Sequence, residues 1–267
     1  MSTYSDEHKK YLKKKKKEKV IVTIFQFAII LFFLVGWELL VKLKLVNTFI
    51  SSSPVKVINT ISGLLNDNSL FQHIFVTTYE TFISFAIASV IGLLVGALLW
   101  WNKTLARIVD PYLTVLNSLP KVALGPLIII WVGASVNSII FMALLITIFV
   151  AIINTYNGFR STEESYTILL QSFKASKFQI FFKAILPSNF SNIISTLKIN
   201  ISMSLIGVIM GELLVSKSGL GYLIMYGSQV FNIDLVISSV FILGILSFIM
   251  YFGISKLEKL VIRKKSV

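Results

Sequence analysis

Long apolar runs frame this chain. About six stretches rich in Val, Ile, Leu and Phe fall at roughly 20–41, 78–101, 119–135, 136–155, 193–215 and 235–254. Each is near the ~20 residues needed to cross hydrocarbon. Between the fourth and fifth runs, residues 160–187 (RSTEESYTILLQSFKASKFQIFFKAILP) turn polar and change period. Tyr166, Leu169, Leu170 and Phe173 fall at i, i+3, i+4 and i+7, and so do Phe178, Phe181, Phe182 and Ile185. Each set predicts a short helix with one apolar face. Such a pair is either a docking element for a soluble partner or two helices lying in the headgroup layer, and periodicity does not choose between them. Residues 53–65 predict a further amphipathic helix. Ser53 can cap it, Pro54 suits its first turn, and Val57, Ile58, Ile61, Leu64 and Leu65 share a face.

Within the runs, small residues recur at helical spacing. Ser84, Ala88, Gly92 and Gly96 lie on one face of the second, and Gly207 and Gly211 on one face of the fifth. In lipid such faces let backbones approach closely, which predicts tight helix packing and also suits a sliding interface. The third run carries Pro120, Lys121 and Pro126. Its Leu, Ile and Val residues favour insertion by about 0.3–0.6 kcal/mol each, whereas a central lysine opposes it by roughly 2.5–3.5 kcal/mol. Two prolines also interrupt its hydrogen-bond ladder. A buried, broken helix with Lys121 near one end is therefore expected.

Composition agrees with a bilayer as solvent. Of 267 residues 55% are hydrophobic and only 14% charged, against about a quarter charged in soluble domains. The net charge of +13 could suggest nucleic acid, but the charge sits in tails. Lys9, Lys10, Lys13 to Lys17 and Lys19 form one, and Arg263, Lys264 and Lys265 the other. Such tails fit anionic lipid, and no nucleic-acid partner is expected. With the N-terminus inside, inner segments hold the lysine tail, Lys103, Arg107, Arg160, Lys174, Lys177, Lys183 and the C-terminal cluster. Outer segments hold Lys42, Lys44, Lys56 and Lys217. That asymmetry predicts cytoplasmic termini and a cytoplasmic 160–187 loop.

The chemistry on offer is sparse. There is no cysteine, and His8 and His73 are the only histidines, so a zinc or thiolate site is not expected. No G-x-x-x-x-G-K-[ST] occurs, so nucleotide would have to be used by a partner. No G-x-S-x-G, H-E-x-x-H or paired-carboxylate cluster marks the spans, which argues against an intramembrane enzyme. Lys121 and Glu212 are the candidate ionisable groups at membrane depth, too few for an ion-gradient-driven carrier.

Three segments carry a family resemblance. Residues 110–133, DPYLTVLNSLPKVALGPLIIIWVG, are similar to the D-P-x(8)-P-x-x-A-L-x-P-L-x-x-x-W-x-G run of the nitrate, sulfonate and taurine branch of binding-protein-dependent ABC importer permeases. Residues 211–227, GELLVSKSGLGYLIMYG, resemble that branch's E-x-x-x-x-x-x-G-L-G-Y-L-I. The 160–187 loop resembles the family's E-A-A-x(3)-G-x(9)-I-x-L-P signature, with departures. Counting back from Leu186 and Pro187, the family's Glu falls on Ile168, its two Ala on Leu169 and Leu170, its Gly on Lys174 and its Ile on Ala184.

The resemblance implies an all-α polytopic membrane protein of about six helices, like the core of small type I ABC importer permeases. It covers the chain from about the first span to Glu258 and implies a permease domain at 20–258 with a coupling loop at 158–190, while the charge pattern sets off a basic tail at 1–19 and a second at 259–267. It implies a transport subunit that is not itself an enzyme and holds no cofactor or metal. Its partners would be two copies of an ATPase, a solute-binding protein, a second permease copy and the bilayer. Phe173, Lys174, Ala175, Ser176, Lys177, Phe178, Leu186 and Pro187 would form the ATPase contact, through which ATP-driven closure flips the path between inward and outward facing. Lys121, Gly207, Gly211 and Glu212 would line the path. The solute implied is a small anion such as an aliphatic sulfonate, taurine or nitrate. The alternatives are a vitamin precursor related to thiamine or riboflavin, or a carrier driven by an ion gradient.

Overall fold

The computed structural model describes residues 6–263, so Lys264 and Lys265 of the C-terminal basic cluster lie outside the described residues. The described residues are helical throughout, with no strand among them. They divide into two units, residues 1–63 and 64–267.

In the first unit, helix α1 (Asp6–Lys42) runs through the lysine tail as well as the first span. Lysine is a good helix former, and neither Gly nor Pro interrupts the helix before Gly36. Near its end Glu38 pairs with Lys42 at 3.5 Å and accepts a 3.4 Å bond from the Val55 amide. Helix α2 (Pro54–Asn66) begins where the sequence pattern places it. Pro54 opens it, and the Ser53 hydroxyl accepts from the Lys56 amide at 3.4 Å.

The second unit is built on three long helices, α3 (Ser69–Trp101), α6 (Val136–Arg160) and α9 (Phe190–Val215). Helix α6 lies between the other two, and small residues set both contacts. On α3, Ser84, Ala88, Gly92 and Gly96 are buried. A Cβ at Gly92 would fall 2.6 Å from the Ala151 side chain, and one at Gly207 only 2.5 Å from the Ala143 Cα. Such backbone proximity gains dispersion contacts that bulkier residues would forfeit. Polar side chains join the same helices: Thr147 and Ser204 hydroxyls lie 3.1 Å apart, and the Asn200 amide donates to Ser89 at 3.0 Å.

Between α3 and α6 the helix is interrupted. Residues 119–135 are not a single spanning helix. Helix α4 (Lys103–Ser118) ends before Pro120, a 3-10 turn covers Lys121–Leu124, and α5 (Gly125–Val132) follows. The two arms, Lys103–Ser118 and Lys121–Val132, bend by 81°. Helix α5 is only about 12 Å long at 1.5 Å per residue, too short to cross a core about 30 Å thick. Pro120 cannot continue the ladder, and Gly133 (φ +87) closes α5 with a left-handed residue. Among the described residues five helices are long and apolar enough to cross a membrane, and a sixth crossing would need this bent pair.

After α6 come α7 (Glu164–Ser172), α8 (Lys177–Ile180), a π-helical stretch Phe181–Ile185 and the short turn Leu186–Ser188. Helix α10 (Leu220–Gln229) and α11 (Ile233–Arg263) complete the unit.

The helix contacts generate a direct test. Gly207→Val should lower the melting temperature of the purified protein, with overpacking costing about 1–3 kcal/mol. Gly244→Ala, where an added Cβ meets nothing within 4 Å, should leave it unchanged or raise it.

Candidate functional site

The loop after α6 is an elbow with an inner and an outer face. Helix α7 ends in a Schellman motif: the Lys174 amide donates to Gln171 O at 2.8 Å and the Ala175 amide to Leu170 O at 3.0 Å. This geometry puts Lys174 in the left-handed region at φ +58, at the place where the resembling signature carries Gly. Ser176 then caps α8. Its hydroxyl accepts from the Gln179 amide at 3.3 Å, and its own amide donates to Gln179 Oε1 at 2.8 Å, completing a capping box.

The stripe Phe178, Phe181, Phe182 and Ile185 does not act as one face. Phe181 and Ile185 are buried with Phe159 and Ile180, against Trp100 and Leu170. Phe178 and Phe182 stay 60% and 47% exposed and pack on each other with tilted rings, centroids 4.4 Å apart. The π-helical turn over Phe181–Ile185 widens the angular step there and divides the stripe. The inner residues anchor the elbow: Phe181 packs on Phe159 at 5.4 Å and Trp100 at 5.1 Å, contacts worth about 0.5–1.5 kcal/mol each. The outer residues are bare. Phe173 is 76% exposed, and Tyr166, Ile168 and Leu169 are also exposed. Lys177 is turned back, with its ammonium donating to the Trp101 carbonyl. Leu186 is half-buried and Pro187 exposed. These residues leave an apolar patch open, and Lys174 and Lys183 of the same loop are exposed as well.

Three of the four expected path-lining residues lie in the packed interior. Gly207, Gly211 and Glu212 are buried inside the protomer, the glycines against Ala143 and Ile139 of α6. They are packing and junction residues because the small face of α9 is spent on α6. Lys121 is half-buried, donates to Asn117 O at 2.6 Å and lies over the Phe149 ring.

Glu212 organises a polar junction at the start of α10. There the Gly219, Leu220 and Gly221 amides lack partners within their own helix. Gly219 N–H donates to His73 Nδ1 at 2.9 Å, Leu220 N–H to the Thr77 hydroxyl at 2.9 Å, and Gly221 N–H to Glu212 Oε2 at 2.6 Å. Thr77 in turn donates to Glu212 Oε1 at 2.7 Å. A carboxylate at a helix N-terminus also meets the favourable end of the macrodipole. Gly219 sits at φ +115, and any side chain there would collide with the Glu212 carboxylate. Thus the E-x-x-x-x-x-x-G-L-G-Y spacing is a carboxylate receptor for its own turn.

Two ionisable groups escape the sequence pattern. Glu80, fully buried on α3, faces Glu212, so the spans do hold a paired carboxylate. Its oxygens meet no backbone or hydroxyl donor; their polar neighbour is the Glu212 carboxyl. Lys198, inside the fifth apolar run, forms an ion pair with Glu258 of α11. Helical spacing gives one usable signal: Thr77 and Glu80, three residues apart, share a face with the small-residue stripe.

Comparison with solved proteins places this arrangement. A chain of the inward-facing MetNI methionine ABC transporter superposes with a TM-score of 0.65 at 21% identity, covering 72% of this chain and 96% of that one. The fold is therefore that of a type I ABC importer permease. Residues 88–266 match the family described as binding-protein-dependent transport system inner membrane component, and the chain belongs to that family. It is accordingly an ABC importer permease subunit, a multi-pass membrane protein. The formylaminopyrimidine transport permease protein ThiX of Halalkalibacterium halodurans is 32% identical over 88% of this chain and 95% of its own length. The nitrate import permease protein NrtB of Synechocystis is 28% identical over 91% and 90%.

Glu212→Ala should strand the Thr77 hydroxyl and the Gly221 amide and cost about 1–3 kcal/mol for each buried group left unpaired. Glu80→Gln removes a second carboxyl from the same enclosure and should hold or raise the melting temperature. Equal losses from both variants would contradict this division of roles. Lys174→Gly should relieve the left-handed backbone by about 0.5–1 kcal/mol. Hydrogen exchange at residues 170–175 should then slow, with Lys174→Ala giving no such gain.

Proposed function

We propose that two copies of this chain form the translocation path of an ATP-driven importer. A separate ATPase grips each copy at the 158–190 loop, and an external binding protein delivers the solute. ATP is hydrolysed on the partner, and both termini face the cytoplasm, as the distribution of Lys and Arg favours. One observation carries the coupling: Phe173 and Phe178 stand exposed on either side of the bend at Lys174, while Phe181 ties the same elbow to the ends of α3 and α6. A push on the outer face is thereby delivered to the helices that pack the core.

For the solute, the reading best supported is a small nitrogen heterocycle of the formylaminopyrimidine class. ThiX shares 32% identity across nearly its whole length. Lys121, the cation nearest to serving an anion, is engaged by Asn117 O and Phe149. A small anion is the second reading, favoured by the likeness to NrtB.

Proteoliposomes holding the permease, its ATPase and its binding protein should accumulate labelled formylaminopyrimidine only with ATP, and nitrate, taurine and alkanesulfonates should not enter. Uptake of those anions instead would overturn the solute, and uptake without the ATPase would overturn the importer. Ser176→Asp retains an N-cap acceptor for α8 but sets a carboxylate in the docking face. Uptake and ATPase co-purification should fall by at least about tenfold, since desolvating an unpaired charge costs well over ~1.4 kcal/mol.

A further inference from the structure

A cleft of about 1180 Å³ opens beside the elbow, where α3 ends and α4 begins. Its floor is apolar, formed by Leu99, Phe159, Ile180 and Ile185. Its rim is basic: Lys103, Arg107, Arg160 and Lys177 all line it, against the single acid Glu164. Lys177 is held by the Trp101 carbonyl and ring, whereas Lys103, Arg107 and Arg160 are exposed and form no ion pair among the described residues. Trp100 and Trp101 complete the wall.

The placement fixes the level of this cleft. Helix α3 is a spanning helix, and its final residues are this tryptophan pair, the residue type that settles at the membrane–water interface. The phosphates of lipid headgroups lie at that depth. Guanidinium and ammonium groups around an aromatic wall suit a phosphodiester, and an apolar floor suits the glycerol and first methylenes below it. A soluble acidic segment would match the rim but not the floor.

We infer that this cleft is a binding site for the headgroup of an anionic phospholipid, held by Lys103, Arg107 and Arg160 against the Trp100–Trp101 wall. The bound lipid bridges the start of α4 and the start of the elbow, whose cations line one cleft. The site does not depend on which solute is transported.

Native mass spectrometry of the full-length detergent-purified protein tests this, with phosphatidylglycerol, phosphatidylcholine and inorganic phosphate offered separately. Wild type should retain phosphatidylglycerol in preference to phosphatidylcholine. Lys103→Gln and Arg160→Gln should each cut that preference roughly fivefold, the factor expected per interfacial cation. Lys217→Gln, a cation outside the cleft, should leave it intact, and Lys103→Arg should preserve it. Equal retention of the two lipids, or an unchanged preference in the double variant Lys103→Gln/Arg160→Gln, would overturn the proposal. Retention of inorganic phosphate that displaces the lipid would reassign the cleft to a soluble anion. Loss of ATPase co-purification in the double variant with lipid preference unchanged would give the rim to a protein partner instead.

Discussion

Away from water a backbone N–H must find an acceptor within the protein, and the second unit is arranged around that constraint. Regular helices satisfy it automatically. The difficulty arises where a helix starts at the edge of the bundle, and the turn before α10 is the clearest case. Its Gly219, Leu220 and Gly221 amides are taken by His73, Thr77 and Glu212, drawn from α3 and α9. The turn therefore cannot move without breaking contacts to two core helices. Glycine at 219 is required twice over, by its φ of +115 and by the carboxylate that occupies the place of a side chain. A sequence string that looks like a simple turn is the join between three elements.

The glycine faces and the polar junction divide the work of association. Gly92, Gly207 and Gly211 bring backbones close, which yields contact area but little directional preference. The Thr147–Ser204 and Asn200–Ser89 bonds, together with the Glu212 junction, fix which rotation about those faces is adopted. Glu80 is the exception in this scheme. Its polar neighbour is the Glu212 carboxyl rather than a backbone amide or a hydroxyl, so it shares an enclosure whose other donors Glu212 already uses.

Much of this was legible in the residues, for reasons that also explain the gaps. Apolar runs mark spans because hydrocarbon selects for them, and four-residue spacing of Gly and Ala marks a close contact because residues four apart share one helix face. The bend after Ser118 announces itself in Pro120. What periodicity cannot register is a change of helical step: the π-turn at Phe181–Ile185 splits a stripe that an ideal helix would keep together. Pairings between distant helices are equally silent. Glu80 and Lys198 each sit inside an apolar run, and only the fold reveals that one meets Glu212 and the other Glu258. Gly207, Gly211 and Glu212 pose the same difficulty, since a small-residue face does not say whether helix or water lies opposite, and here it packs on helix.

The elbow shows how a degenerate signature keeps its geometry. Glycine is favoured at the end of α7 because a left-handed residue completes the Schellman hydrogen bonds without steric cost. With lysine at 174 the Lys174 and Ala175 amides still make the same two bonds, at a modest conformational penalty, so the bend survives. Contacts on the far side of the bend offset that penalty. The Ser176–Gln179 capping box holds the start of α8, and the Phe159–Phe181–Trp100 cluster fixes its direction. A bend defined from both sides in this way is stiff. Stiffness is what the proposed coupling needs, because force applied at Phe173 and Phe178 would be transmitted only if the elbow yielded less than the helices it is proposed to move.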